Sequence, residues 1–374
     1  MKIAILGTRG IPSGYSGYEA FAEEVGRRMA DLGHEVVIYA HSNMFREKIS
    51  VYKGVRLVYM QSLKGKNTSQ FSHSLISTLH LITRERADVA LFCNAANGPF
   101  GLLLKAGGIK SAINVDGLEW LRPKWSNLAK KYFKFGAYCS TRLFDQVVTD
   151  AKGMQEIYAK EFGCKSVDIA YGADIKYSQS PSLLDQFGIR PYDYFLIASR
   201  LVPDNNADLI VRAFLRSRSE RKLVIAGGTA YKNPFEDHLR GIGDERVIFL
   251  GHIDSSEIIK ELHCNAFAYV HGHQFGGTNP ALLKSLAYGN CVLALDTVFN
   301  REVLADGKYG ILFEKNEEDL AEKINFIEAH EDVAEKFRKS ARTRIQENYT
   351  WEKITQQYLH LFKLLLEKDH RSNL

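Results

Sequence analysis

The chain has no Cys-x-x-Cys pair. Its five cysteines, Cys93, Cys139, Cys164, Cys264 and Cys291, lie far apart. That argues against a disulfide framework or a zinc site and fits a reducing cytoplasm. No apolar run is long enough to span a bilayer. Neither sign of charge dominates: 49 Lys and Arg against 44 Asp and Glu leave a net charge of +5, too small an excess to imply nucleic acid. The glycine-rich loop near the start lacks the G-x-G-x-x-G spacing, so a dinucleotide fingerprint is not supported. The first residues, MKIAILG, run straight into that loop and read as a strand rather than a leader. There is no low-complexity segment and no short-period repeat.

What is present is an alternation of short apolar runs with amphipathic stretches, over a length that suits two domains. The pattern predicts strands at 2–6, 36–39, 56–59, 89–92, 111–115, 146–149 and 167–170. In the second half it predicts strands at 195–199, 222–226, 247–250, 266–270, 291–295 and 311–313. Helices are expected between them, for example at 18–32, 207–216 and 255–263. The rhythm implies parallel sheets covered by helices on both faces. A polar stretch at 177–182 reads as a linker, after which the alternation restarts. The expected fold is therefore α/β: two doubly wound, Rossmann-like parallel-sheet domains, 1–175 and 176–350, facing a cleft. A helical tail, 351–374, follows. Ligands on such sheets bind beyond the carboxyl ends of the strands.

The most informative segment is HGHQFGGTNPALLKSLAYG, 271–289. A strand is followed by Gly276 and Gly277, then Thr278 and Asn279, then Pro280 opening a helix. Asn279 suits the N-cap and Pro280 the first helical position. The arrangement reads as a phosphate cradle, because exposed backbone N–H groups and the helix dipole favour an anion. The alternative is an ordinary strand–loop–helix turn. The segment SRLVPDNN, 199–206, also follows a strand, and Arg200 there has the fork of donors that a diphosphate takes.

In the first half, GTRGIPSGYSGYE (7–19) offers Arg9, Gly10, Gly14 and Gly17 as a phosphate- or sugar-facing loop, or else as a long structural turn. In NVDGLEW (114–120), Asp116 and Glu119 fall where a strand ends. Carboxylates there can accept bonds from sugar hydroxyls or move a proton; the alternative is a turn aspartate and a helix-start glutamate. Between Trp120 and Phe144 there are six basic and no acidic residues past Glu119. Leu128, Tyr132, Phe135, Cys139 and Leu143 recur at helical spacing and read as a core stripe. Trp125 and Phe133 lie off that stripe near the lysines, as on a face for an anionic membrane or a lipid diphosphate, or as a solvated basic face. His271 and His273 have no third ligand nearby, so no metal is expected.

Together and in this order, these motifs resemble the retaining, GT-B-fold nucleotide-sugar glycosyltransferases of family 4. Within them the chain looks most like the branch described as bacterial rhamnosyltransferases, on the strength of GTRGIPSGYSGYE, VDGLEW and HGHQFGGTNPALL. The resemblance implies that Arg200 binds the donor diphosphate, and that Gly276, Gly277, Thr278 and Asn279 hold the diphosphate and donor sugar. It places Asp116 against the transferred sugar and Gly10 with its neighbours in the cleft loop. YGAD (171–174) resembles the segment that enters the C-terminal domain. Residues 351–354 resemble the start of the last helix, which in this fold crosses back to the N-terminal domain. Two positions depart from the pattern. The family has a lysine where this chain has Asn205, and two glutamates where it has Gly276 and Lys284. The second glutamate accepts bonds from ribose hydroxyls, and lysine, a donor only, cannot. Lys284 can instead supply the positive charge missing at 205, or mark altered donor use.

The expected activity is thus that of a metal-independent, retaining hexosyltransferase. It would move rhamnose from dTDP-rhamnose to a saccharide acceptor, lipid-diphosphate-linked, in bacterial surface polysaccharide synthesis. No cofactor and no nucleic acid are expected, and the place of action is the cytoplasm or the inner face of the cell membrane. Two rivals stay open: a nucleotide-sugar epimerase on the same fold, and a non-catalytic partner that binds sugar nucleotide.

Overall fold

The computed structural model describes residues 1–12, 17–65, 68–122, 125–228 and 234–372, with side chains to 367. The chain divides into two compact units. The first is Met1–Gly172 with Trp351–Leu374; the second is Ala173–Thr350.

The first unit holds eight strands: β1 (Lys2–Leu6), β2 (Glu35–His41), β3 (Val51–Tyr52), β4 (Val55–Met60), β5 (Val89–Cys93), β6 (Lys110–Val115), β7 (Gln146–Thr149) and β8 (Val167–Asp168). They lie in the order β3-β4-β2-β1-β5-β6-β7-β8. Every pairing is parallel except β3 with β4. The β3–β4 hairpin escaped the apolar pattern because β3 is only two residues long. Its two-residue turn, Lys53-Gly54, has φ of 47° and 77°, the doubly positive geometry that a tight hairpin requires. Strands β1, β5 and β6 are buried on both faces, which is why they read as unbroken apolar runs. The order reverses direction between β1 and β5, so the loops after these two strands flank the switch point where such sheets bind ligands.

The second unit has β9 (Tyr194–Ala198), β10 (Lys222–Ala226), β11 (Val247–Gly251), β12 (Ala268–His271), β13 (Val292–Leu295) and β14 (Ile311–Phe313), all parallel, in the order β11-β10-β9-β12-β13-β14. Its switch point falls between β9 and β12. The helix Ala207–Arg216 buries Ala207, Leu209, Ile210, Val211, Ala213 and Phe214 against the sheet's Phe195, Leu223 and Leu293. Each fully buried large side chain contributes about 1.5–3 kcal/mol. The fold is therefore the expected pair of parallel-sheet α/β domains.

Two local expectations fail. Residues 177–182 are no loose linker. The fully buried carboxylate of Glu261 accepts from the backbone N–H of Gln179 (2.8 Å) and of Ser180 (3.0 Å), and from the Ser178 hydroxyl. The helix Asn127–Leu143 does not bury the stripe its spacing suggests. Cys139 is buried, but Leu128 is 79% and Phe135 55% exposed. The buried side is Gly136, Ala137, Cys139 and Ser140. Small residues there let the helix lie close against 95–100, where Tyr132 donates to the Ala96 carbonyl (2.9 Å) and leaves the large side chains outside.

Candidate active site

In the second unit two loops meet at the switch point. After β9 the chain turns through Arg200 and a short helical turn, Pro203–Asn205. After β12 it runs through 272–279 into the helix Pro280–Ala287. Asn205 locks the two together: its amide nitrogen donates to the Arg200 carbonyl (2.7 Å), and its amide oxygen lies 2.8 Å from His273 Nδ1. The Asn206 amide donates to the Gly272 carbonyl (2.7 Å), and the Gln274 N–H to the Asp204 carbonyl (3.1 Å). A Cβ at Gly272 would overlap the Asn205 carbonyl oxygen, so the loops touch backbone to backbone and only glycine fits.

Beyond this lacing the loop turns into a capped helix. Gly276 adopts φ +119°, and Gly276, Gly277 and Thr278 are buried. Asn279 caps the helix, accepting from the Ala281 N–H (2.8 Å), with Pro280 at the first helical position. The Arg200 side chain is exposed and, among the described residues, has no ion pair. Lys284 sits on the first turns of the same helix. It retains solvent contact, yet desolvation by the protein around its ammonium lowers its pKa. Lys315, just past β14, donates to the Gln274 side chain (2.6 Å). His271 is buried and held neutral, its pKa pushed down to about 3 by burial. Among the described residues no three His, Cys, Asp or Glu side chains are grouped to hold a metal.

In the first unit Asp116 stands just past the end of β6. The hydroxyl of Tyr18, from the start of the helix Gly17–Asp31, donates to one of its carboxylate oxygens. The hydroxyl of Tyr171 donates to the other (2.7 Å). Burial pushes the Asp116 carboxyl up to about 6, against the lowering effect of these two donors. Glu119 faces elsewhere: one oxygen pairs with Arg122 Nε (3.0 Å) and the other accepts from Trp125 Nε1 (2.5 Å), which ties down the turn after β6. The Arg9 N–H donates to the buried Glu19 (2.8 Å), and the Arg9 carbonyl accepts from the His41 N–H (3.0 Å). Gly10, at φ +106°, packs so tightly on Ala40 that a Cβ would overlap it. Gly17 opens the helix, and Gly14 lies outside the described residues.

Sequence reasoning missed Tyr18, Tyr171, Glu19 and Lys315. Tyr18 and Tyr171 lie 98 and 55 positions from Asp116, and nothing local marks an aromatic as the partner of a distant carboxylate. His273, which by sequence suggests only a metal ligand, instead meets Asn205.

The two parallel doubly wound sheets are those of the GT-B fold. Sucrose-phosphate synthase from Thermosynechococcus elongatus superposes with a TM-score of 0.81 at 17% identity, over 98% of this chain and 99% of that one. Anabaena HepE in complex with UDP superposes with a TM-score of 0.77 at 14% identity, over 97% and 100%. At these identities the likeness is one of fold. Residues 184–344, within the second unit, match the family model for glycosyl transferases group 1. Residues 91–174 match a domain of unknown function, DUF1972. Among curated proteins, the chain is 25% identical over 205 residues to the N-acetylgalactosamine-N,N'-diacetylbacillosaminyl-diphospho-undecaprenol 4-alpha-N-acetylgalactosaminyltransferase of Campylobacter jejuni. That match takes in 54% of this chain and 55% of the relative. It is 22% identical over 245 residues to an uncharacterized glycosyltransferase of Methanocaldococcus jannaschii, over 62% and 63% of the two chains. The chain thus spans somewhat more than half the length of these two relatives.

Proposed function

We propose that this protein is a glycosyltransferase that uses a nucleoside diphosphate sugar. The observation that carries the reading is the group 1 match over 184–344, which encloses Arg200 and the loop from Gly276 to Asn279. These elements present an exposed guanidinium and a capped helix N-terminus, groups that stabilise a departing diphosphate. The donor is dTDP-rhamnose, a choice that rests on the resemblance of GTRGIPSGYSGYE, VDGLEW and HGHQFGGTNPALL. Transfer proceeds with retention and without a metal. The acceptor is a saccharide on a lipid diphosphate, in keeping with the diphospho-undecaprenol in the name of the Campylobacter relative. A thermal-shift series with dTDP, UDP and GDP tests this. A nucleotide at 100 times its Kd stabilises the folded chain by about 2.7 kcal/mol, so dTDP should raise the Tm by several degrees, and more than UDP or GDP. No shift with any of the three would sink the reading.

The same reading puts the protein at the membrane face. No helix of the described residues is long and apolar enough to cross a bilayer. The helix Asn127–Leu143 instead exposes Leu128, Tyr132, Phe135 and Tyr138 alongside Lys131, an apolar and basic face suited to an anionic lipid surface. Lys134 is paired with Glu161 (3.0 Å), so Lys130 and Lys131 carry more of the attraction. Replacing both with Gln should weaken sedimentation with anionic vesicles by about 1 kcal/mol per charge. Replacing Leu128 and Phe135 with Ser should weaken it further. Equal sedimentation of all variants would make this an ordinary solvated face.

A further inference from the structure

Asp116 is held by two tyrosines from distant parts of the first unit. Tyr18 comes from the helix after β1, and Tyr171 from the segment after β8. Tyr171 is itself fixed from the far end of the chain. Its ring meets Phe21 edge to face, with centroids 5.5 Å apart at 84°. Phe21 packs in turn on Trp351 (6.4 Å) and Tyr358 (5.3 Å) of the last helix, Trp351–Ser372. At the next residue, Gly172, a Cβ would press on the Trp351 ring. Tyr171 is 2% exposed. Burial raises the pKa of both phenols well above its ordinary value, so each keeps its proton and acts as a donor throughout the working pH range. Each oxygen of Asp116 thus meets one fixed O–H.

We propose that Tyr18 and Tyr171 are positioning residues for sugar transfer: the two phenols fix the Asp116 carboxylate in one orientation and keep it ionised. This rests on the transferase reading. A carboxylate that accepts two hydrogen bonds favours its charged form, and removing either donor favours the protonated one. Other groups act on the same charge. Glu119 opposes it and Arg122 supports it from the turn after β6. The Cys93 thiol at the end of β5, the Tyr158 phenol on the helix Lys152–Phe162 and the Tyr358 phenol on the last helix also feel Asp116. Asp150, beyond β7, raises the pKa of Tyr18 and Tyr171. Of these groups, only Tyr18 and Tyr171 hydrogen-bond Asp116 among the described residues, so only their removal changes both its orientation and its charge.

The test uses the full chain with carbon-13-labelled aspartate, Asp116 being assigned by its loss in Asp116→Asn. Carboxyl titrations are recorded for wild type, Tyr18→Phe, Tyr171→Phe and the double variant. Sugar transfer is then measured from pH 5.5 to 8.5. Each single variant should move the Asp116 midpoint up by about half to one pH unit, and the double variant by more. Transfer by each single variant should fall several-fold at pH 6 and recover most of its rate at pH 8, where the carboxylate ionises without help. An unmoved midpoint in both single variants overturns the proposal. So does a loss of transfer that is equal at every pH, which is what a merely structural tyrosine would give. A wild-type chain that transfers no sugar, while its midpoint still shifts in the variants, would sink the transferase reading and leave the phenol–carboxylate cluster standing.

Discussion

Asp116→Asn is expected to slow sugar transfer about 100-fold while leaving nucleoside diphosphate binding unchanged. The donor diphosphate is assigned to the second unit, whereas Asp116 stands in the first. The substitution keeps the shape and removes the charge. The fold tolerates it, because the asparagine oxygen still accepts from one phenol and its NH2 can donate to the other, whose oxygen is also an acceptor. The carboxyl, raised from 3.8 to about 6 by burial, binds its proton more tightly in the folded chain than in the unfolded one. Its contribution to stability is therefore fully present below pH 4 and is lost as pH rises through 6. At pH 7.5 the ionised side chain opposes folding, so Asp116→Asn should melt no lower than wild type there and gain nothing below pH 4. Wild-type transfer should decline as pH falls below about 6. A fully active, folded variant would remove Asp116 from the chemistry.

The architecture was legible because parallel strands buried on both faces leave an unmistakable trace: IAIL, VALFC and LVIA are unbroken apolar runs punctuated by glycine or polar turns. The caps were legible for the same local reason, Asn279 and Pro280 standing side by side at the start of their helix. What escaped was set by tertiary packing. Helix Asn127–Leu143 has a regular apolar period, yet the face it buries is the one whose small residues allow close approach, and no periodicity distinguishes that face in advance. Asn205 stands where the family has a lysine, which by sequence marks it for the donor site. Its role in the structure, bridging the Arg200 carbonyl and His273, depends on a loop 68 residues away. The tyrosine partners of Asp116 are hidden in the same way. Strand ends point to where chemistry lies, but the side chains that tune it arrive from distant parts of the chain.

Arg200→Ala and the two Lys284 variants form the second decisive set. Arg200 is exposed just past β9, with no ion pair among the described residues. A hydrogen bond to a charged group contributes about 1.5–3 kcal/mol, so Arg200→Ala should cost roughly 10- to 100-fold in nucleoside diphosphate affinity. Lys284 decides what makes up for the neutral Asn205, whose amide is engaged at both ends and has no charge to offer. Desolvation already lowers the pKa of Lys284. An anion bound beside the ammonium would offset that effect, so donor binding and protonation of Lys284 should favour one another. Lys284→Ala should then weaken binding, and Lys284→Glu should weaken it further by repelling the diphosphate. If the position instead served the ribose, Lys284→Glu would restore an acceptor and tighten binding. Calorimetric titration of wild type and the three variants with dTDP separates these outcomes by sign. Unchanged affinity in Arg200→Ala would take that side chain out of the site, and three indistinguishable affinities across the Lys284 series would leave that lysine on the surface.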